Sequence, residues 1–177
     1  MRLIILIFCG LCCSINTNAQ LHINEMMSLN NTAWATEQNN YPDWIELYNS
    51  SSDSILLSDY FLSDDRQEME QWQLPNRYIQ EGEFFSVYAS GLDMKMDCNF
   101  KIRSQGEALF LSHKSMGLED SFPAVTLDAD QSFGRYPDGS DVLAKLQNPT
   151  PNSPNDSIDL LYSSLSYSHT SGWYENS

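Results

Sequence analysis

The sequence predicts an all-β domain, an antiparallel β-sandwich, and three observations carry that prediction. Short runs with apolar residues in alternation recur along the chain. Clusters of Gly, Pro, Asn, Asp and Ser separate them every ~8–12 residues, the spacing of sandwich strands and turns. No stretch shows the i, i+3, i+4 apolar spacing of an amphipathic helix. Closure of the same strands into a barrel is the structural alternative.

The 177 residues and their 41% apolar share can build one domain with its own core. With 24 acidic against 9 basic residues, the formal charge is −15. Nucleic acid and anionic membrane surfaces are poor partners for such a chain, because phosphates are held by Lys and Arg. Met1-Arg2, the apolar run Leu3 to Cys13 and the small residues Thr17-Asn18-Ala19 read as a signal peptide over residues 1–19. The run falls well short of the ~20 residues that span a bilayer as a helix, so no transmembrane anchor is expected and the chain is expected to be secreted, periplasmic or at the cell surface. Cys9, Cys12 and Cys13 leave with the leader. Cys98 alone remains, so the domain is expected to have no internal disulfide and to bury this thiol.

In order, Leu21 to Met27 alternates imperfectly, as an opening strand, and Ser28 to Pro42 is a polar loop around Trp34. Asp43-Trp44-Ile45-Glu46-Leu47-Tyr48-Asn49 is the second strand, with Trp44, Ile45 and Leu47 assigned to one side and Asp43, Glu46 and Asn49 to the other. Ser54 to Leu57 and Tyr60 to Leu62 read as one strand bent at Ser58-Asp59, and Trp72 to Leu74 as a short strand ending at Pro75. Glu83 to Ala89 places Phe85, Val87 and Ala89 on one face. Asn99 to Ile102 and Glu107 to Leu111 are predicted to form a hairpin around Gln105-Gly106. A further strand pair is predicted at Ala124–Leu127 and Ser132–Tyr136, closed by Pro137-Asp138-Gly139. Prolines 149, 151 and 154 mark a linker. The predicted organisation is therefore signal peptide 1–19, β-domain 20–148, linker 149–155, and at 156–177 either the incomplete start of a further β-domain or a tail that packs back on the sandwich.

The chain resembles the lamin-tail domain family. The residues that carry the likeness are Ile23-Asn24-Glu25, the Asp43–Asn49 stretch, Leu57-Ser58-Asp59-Tyr60 with Leu62-Ser63-Asp64, Trp72-Gln73-Leu74-Pro75, Gly134-Arg135-Tyr136-Pro137-Asp138-Gly139 and Asn152-Ser153-Pro154. The resemblance implies an immunoglobulin-like sandwich over roughly Leu21 to Asn155, and it is strongest to bacterial exported proteins. In those, the domain commonly precedes a chitobiase-like β-module and a CotH-type kinase-like domain. Tyr167-Ser168-His169 and Gly172-Trp173-Tyr174 resemble the start of that β-module.

No catalytic constellation is legible. His22, His113 and His169 lack metal-ligand spacing, and Ser90-Gly91 and Ser104-Gln105-Gly106 are turn sequences rather than nucleophile elbows. Asp128, Asp130 and Ser132 match the first ligand spacings of an EF-hand, but Phe133 occupies the Gly position and Gly139 that of the closing Glu. Calcium bound by Asp64, Asp65 and Glu68, or by Asp128 and Asp130, remains the metal candidate; no other cofactor is expected. Asn24, Glu25, Asp43 and Glu46 form a polar group that either fixes loops or binds a ligand. Trp34 and Tyr78 are candidate ligand platforms, with Trp72 better explained as core. Asp53-Ser54-Ile55 and Asp156-Ser157-Ile158 resemble a bacterial O-glycosylation triplet. The functional expectation is a non-catalytic module binding a protein or glycan at the cell surface. Its alternatives are an N-terminal accessory domain of a longer kinase-like or hydrolytic enzyme, and a calcium-stabilised adhesion domain.

Overall fold

A computed structural model describes residues 20–155. The expectations for the leader and for 156–177 lie outside these residues. The chain forms β1 (Leu21–Met27), β2 (Trp44–Asn49), β3 (Ile55–Leu56), β4 (Tyr60–Ser63), β5 (Trp72–Gln73), β6 (Tyr78–Ile79), β7 (Phe84–Tyr88), β8 (Leu109–His113), β9 (Gly117–Phe122), β10 (Ser132–Arg135) and β11 (Leu143–Leu146). Among the described residues the helical structure is one 3-10 turn at Leu57–Asp59, which puts the expected bend between β3 and β4. The strands make a five-stranded sheet in the order β11-β10-β1-β2-β7, a four-stranded sheet β5-β4-β8-β9 and a two-stranded ribbon β3-β6, all with antiparallel neighbours.

The two larger sheets share one core, as a sandwich requires. Leu21, Ile23, Met26, Ile45, Leu47, Phe85, Val87 and Phe133 enter it from the first sheet; Tyr60, Leu62, Trp72, Leu109, Leu111 and Phe122 enter from the second. Each such side chain contributes about 1.5–3 kcal/mol by leaving water. Cys98 is buried and unpaired, and burial raises its thiol pKa well above the usual range.

The imperfect alternation of β1 has a cause. Ile23 pairs with Leu47, but Glu25 pairs with Glu46, so the register slips at Asn24. The bulge turns Ile23 and Met26 to the core although they are three residues apart, and it leaves Asn24 free to be aimed elsewhere.

Three expectations are corrected. Trp44 belongs to the outer face with Glu46, opposite Tyr88, and Asn49, paired with Leu21, falls on the side of Ile45 and Leu47 rather than that of Glu46, because the pleat alternates strictly from Ile45. Residues 99–102 make no hairpin with 107–111: Lys101 bridges Ser90, while β8 pairs with β4 and β9. Gly106 instead sits at φ +95° against the backbone of Val125, where a Cβ would lie 2.6 Å from the carbonyl carbon. Residues 124–127 are irregular, and β10 takes β1 and β11 as its partners. The strands β9 and β11 had no expectation, since both are edge strands with little alternation to detect.

The segment 149–155, read from sequence as a Pro-rich linker, lies across the outer face of the five-stranded sheet and is hydrogen bonded to it. Its prolines bar ladder pairing, but side chains and turn amides bond freely.

Candidate functional site

On the outer face of the five-stranded sheet, the β1 bulge sets Glu25 directly opposite Glu46, and both residues are fully buried. Like charges in this position repel. Glu25 accepts from the Ser132 hydroxyl on β10 and from the amide of Thr150 at 3.2 and 3.1 Å. Glu46 accepts from Asn24 Nδ2 at 3.2 Å, Ser86 Oγ at 3.0 Å and the Asn152 amide at 2.5 Å. Burial pushes Glu25 up to about 7. Burial, and then the charge of Glu25, pushes Glu46 up to about 8.

Asn24 connects this pair to the β10–β11 turn. Its amide also donates to Asp138 at 2.9 Å, and its carbonyl accepts from the Gly139 amide at 3.1 Å. Asn155 closes the strap: its amide N–H donates to Asp138 at 3.0 Å and its Nδ2 to the Arg135 carbonyl at 2.7 Å. Gly134 lies beneath it. A Cβ there would meet the Asn24 carbonyl oxygen at 2.7 Å and Asn155 Nδ2 at 3.1 Å. Of the polar group named from sequence, Asn24, Glu25 and Glu46 come together. Asp43 does not: it lies at the other end of β2, held near the Asn30 amide, with burial pushing it up to about 6.

Beside the strap is a groove of about 630 Å³ lined by Trp34, Tyr88, Leu92, Met94 and Met96, with Glu37, Asp97 and Lys101 among its polar residues. The 28–42 loop delivers Trp34 because Asn30 pins it, donating to the carbonyls of Trp34 and Pro42 at 2.8 Å each. Trp34 stacks on Tyr88 at 4.3 Å and meets Trp44 edge-on at 6.1 Å. Asp97 holds the opposite loop through the Ser90 amide at 2.8 Å and hydroxyl at 2.5 Å. Leu92 and Met94 are 65% and 59% exposed. Tyr78 is exposed on β6 and does not line the groove, and Trp72 is core.

A second, polar cleft of about 520 Å³ holds His22, Ser50, Asp120 and Arg135. His22 Nε2 and Ser50 Oγ are 2.9 Å apart, but His22 Nδ1 stands 3.9 Å from Asp120. Asp120 instead takes the Arg135 guanidinium at 2.7 Å and the Ile23 amide at 2.8 Å. The amides of Ser50 and Gly139 are bonded to Gln20 and Asn24, so neither is free to stabilise an oxyanion. The contacts tie β1, β9 and β10 together rather than arm a nucleophile.

Of the residues considered for calcium, Asp130 and Asp65 engage their carboxylates with loop amides, while Asp64, Asp128 and Glu68 enter turns through their backbone amides. Asp130 accepts from the amides of Asn31 and Thr32 at 2.7 and 2.8 Å and from the Thr32 hydroxyl, and these bonds lower its pKa. Asp128 donates its amide to Gln131, and Asp65 accepts from the Gln67 amide. Asp64 donates its amide to Gln71, and Glu68 closes a turn on the Asp65 carbonyl. Among the described residues, no group of three or more His, Cys, Asp or Glu is placed to hold a metal ion, and no helix is long and apolar enough to cross a membrane.

The all-β, antiparallel two-sheet architecture is that of an immunoglobulin-like module. Residues 15–164 match the Lamin Tail Domain family, and the chain belongs to that family. Comparison with curated proteins and with solved structures finds no match. Four of the segments that carried the resemblance in sequence meet in one place, while Leu57–Asp64 and Trp72–Pro75 belong to the opposite sheet and its approach. Asn24, Glu25, Glu46, Gly134, Asp138, Gly139 and Asn152 all belong to the strapped network. Ser86, Ser132, Thr150 and Asn155 complete it and had no sequence signal of their own, because a lone Ser, Thr or Asn is indistinguishable from a turn residue.

Proposed function

We propose that this chain is an exported, non-catalytic binding module that takes a segment of a protein partner into the Trp34 groove. The observation that carries the reading is the placement of exposed Leu92 and Met94 beside the stacked Trp34–Tyr88 pair. Exposed apolar clusters of this kind mark contact surfaces. A protein segment suits the groove better than a sugar does. Tyr88 covers a ring face of Trp34, and the remaining wall is methionine, whose flexible thioether adapts to apolar side chains. The leader-like residues 1–19 support export.

Selection from a displayed peptide library, run beside a glycan array on the purified chain, tests this. The expected result is peptides with apolar anchors whose binding is lost in Met94→Asp. Peptides that bind Met94→Asp equally well, or binding to glycans alone, would overturn it.

A further inference from the structure

We infer that Glu25 and Glu46 form a proton-operated latch for the strap 149–155: while the pair holds a proton the strap lies closed on the sheet, and loss of that proton to solvent releases it.

The geometry demands a proton. The side chains stand opposite each other on one face, fully buried, and the donors they receive are all neutral: Ser132 and Thr150 for Glu25, Asn24, Ser86 and Asn152 for Glu46. Two buried carboxylates side by side are held apart in proton affinity, and one stays neutral.

Hydrogen counting at Thr150 leads to the same place. Its hydroxyl oxygen lies 3.0 Å from Glu25 Oε2 and 2.8 Å from Asn155 Oδ1, yet it has one hydrogen to give. Asn155 cannot be turned round, because its Nδ2 donates to the Arg135 carbonyl. The Thr150 hydrogen therefore goes to Asn155, and the contact with Glu25 is satisfied when Glu25 is the donor. A neutral Glu25 completes a relay from Glu25 through Thr150 to Asn155; an ionised one leaves two oxygens facing each other.

The charged groups around the pair oppose a second negative charge. Asp138 in the β10–β11 turn raises the affinity of Glu25 for its proton. On β10, the Arg135 guanidinium is turned to Asp120 and the Ser140 carbonyl. Lys145 on β11 is paired with Phe133, whose side is the core face. On β1, His22 lies in the polar cleft with Ser50 and Asp120, and β7 contributes Ser86. The strap's share of the bonding is the two amides and one hydroxyl of Thr150 and Asn152, so opening it is what returns the carboxyls to water.

In the closed chain the two carboxyls are raised from the ordinary 4.5 to about 7 and about 8, chiefly by burial. Closure is thus fully favoured below about 4.5 and weakens as pH rises through 7–8. For each proton released, the opening constant grows about tenfold per pH unit between the ordinary carboxyl value and the raised closed-state value, and it levels off above the latter.

Hydrogen exchange of the full chain, corrected for intrinsic rates, tests the latch. Between pH 5 and 9 the protection of the Thr150, Asn152 and Asn155 amides is expected to fall at least tenfold while staying below that of Leu111 in β8 at every pH, the mark of local opening rather than global unfolding. Glu46→Gln is expected to flatten that dependence. Carbon-13 titration of the Glu carboxyls gives a reading that needs no variant: one of the pair stays neutral above pH 6. Strap protection that does not vary with pH, or two carboxyls that both titrate near their ordinary value, would overturn the inference.

Discussion

Asn24 and Asp138, 114 residues apart in the chain, are joined by a 2.9 Å hydrogen bond from the amide of one to the carboxylate of the other. The bond exists because the β1 bulge ejects Asn24 from the strand pattern and the β10–β11 turn returns Asp138 to it. Asn24 also serves Glu46 and Gly139. Asn24→Ala therefore strips partners from three buried or half-buried groups at once. At about 1 kcal/mol per bond, with added desolvation cost for the stranded carboxyls, the loss should be ~3 kcal/mol. A thermal melt should show Tm lower by roughly 10 °C.

Stability should fall as pH rises from about 5 to about 9. Glu25 and Glu46 carry raised values in the folded chain, near 7 and 8 against 4.5, and Asp43 is raised to about 6. A raised carboxyl means the folded state holds its proton more tightly than the unfolded state, so stability is complete below about 4.5 and is lost as pH climbs through the folded values. Denaturant midpoints at pH 5.5 and 8.5 measure this. The midpoint at pH 5.5 should be the higher, and Glu46→Gln should shrink the difference.

Gly134→Ala should damage the strap more than the sheet. Its φ is ordinary, so the cost is steric: the new Cβ would stand 2.7 Å from the Asn24 carbonyl and 2.9 Å from Leu146 Cδ1. Side chains yield and the β1 backbone does not. A loss of ~1–3 kcal/mol is expected from such overpacking. Exchange at residues 150–155 should accelerate more than exchange at β8.

Much of this architecture is legible in sequence, and the exceptions share a cause. Phe85, Val87 and Ala89 alternate against a dry core, so their face could be read directly. Trp44 could not, because a strand with Trp44 and Glu46 both buried on its outer face offers no polar side to contrast with. Edge strands such as Gly117–Phe122 carry no alternation, and the 150–155 strap is held by amides and short polar side chains that read as a linker. The candidate site was half visible. Its motifs stood out as a family pattern, while their convergence depends on pairings over 100 residues apart.

Trp34 and Tyr78, the two aromatic residues that sequence offered as ligand platforms, should separate cleanly on substitution. Trp34 is half-buried, stacked on Tyr88 and edge-on to Trp44, and the loop that carries it depends on Asn30 bonding its carbonyl. Removing the ring uncovers Trp44, which is fully buried, and leaves Tyr88 without its stacking partner. Stacking contributes ~0.5–1.5 kcal/mol beyond the area buried. Trp34→Ala should therefore cost ~2 kcal/mol in a denaturant melt and shift Trp44 emission to the red. Trp34→Phe should recover part of both. Tyr78 is 57% exposed on a two-residue strand. Tyr78→Ala should change stability by less than ~0.5 kcal/mol, the range for surface positions. If Tyr78→Ala proves the costlier change, the assignment of the 28–42 loop as a structural wall of the groove is wrong, and the recognition surface would have to be sought on the β3-β6 ribbon instead.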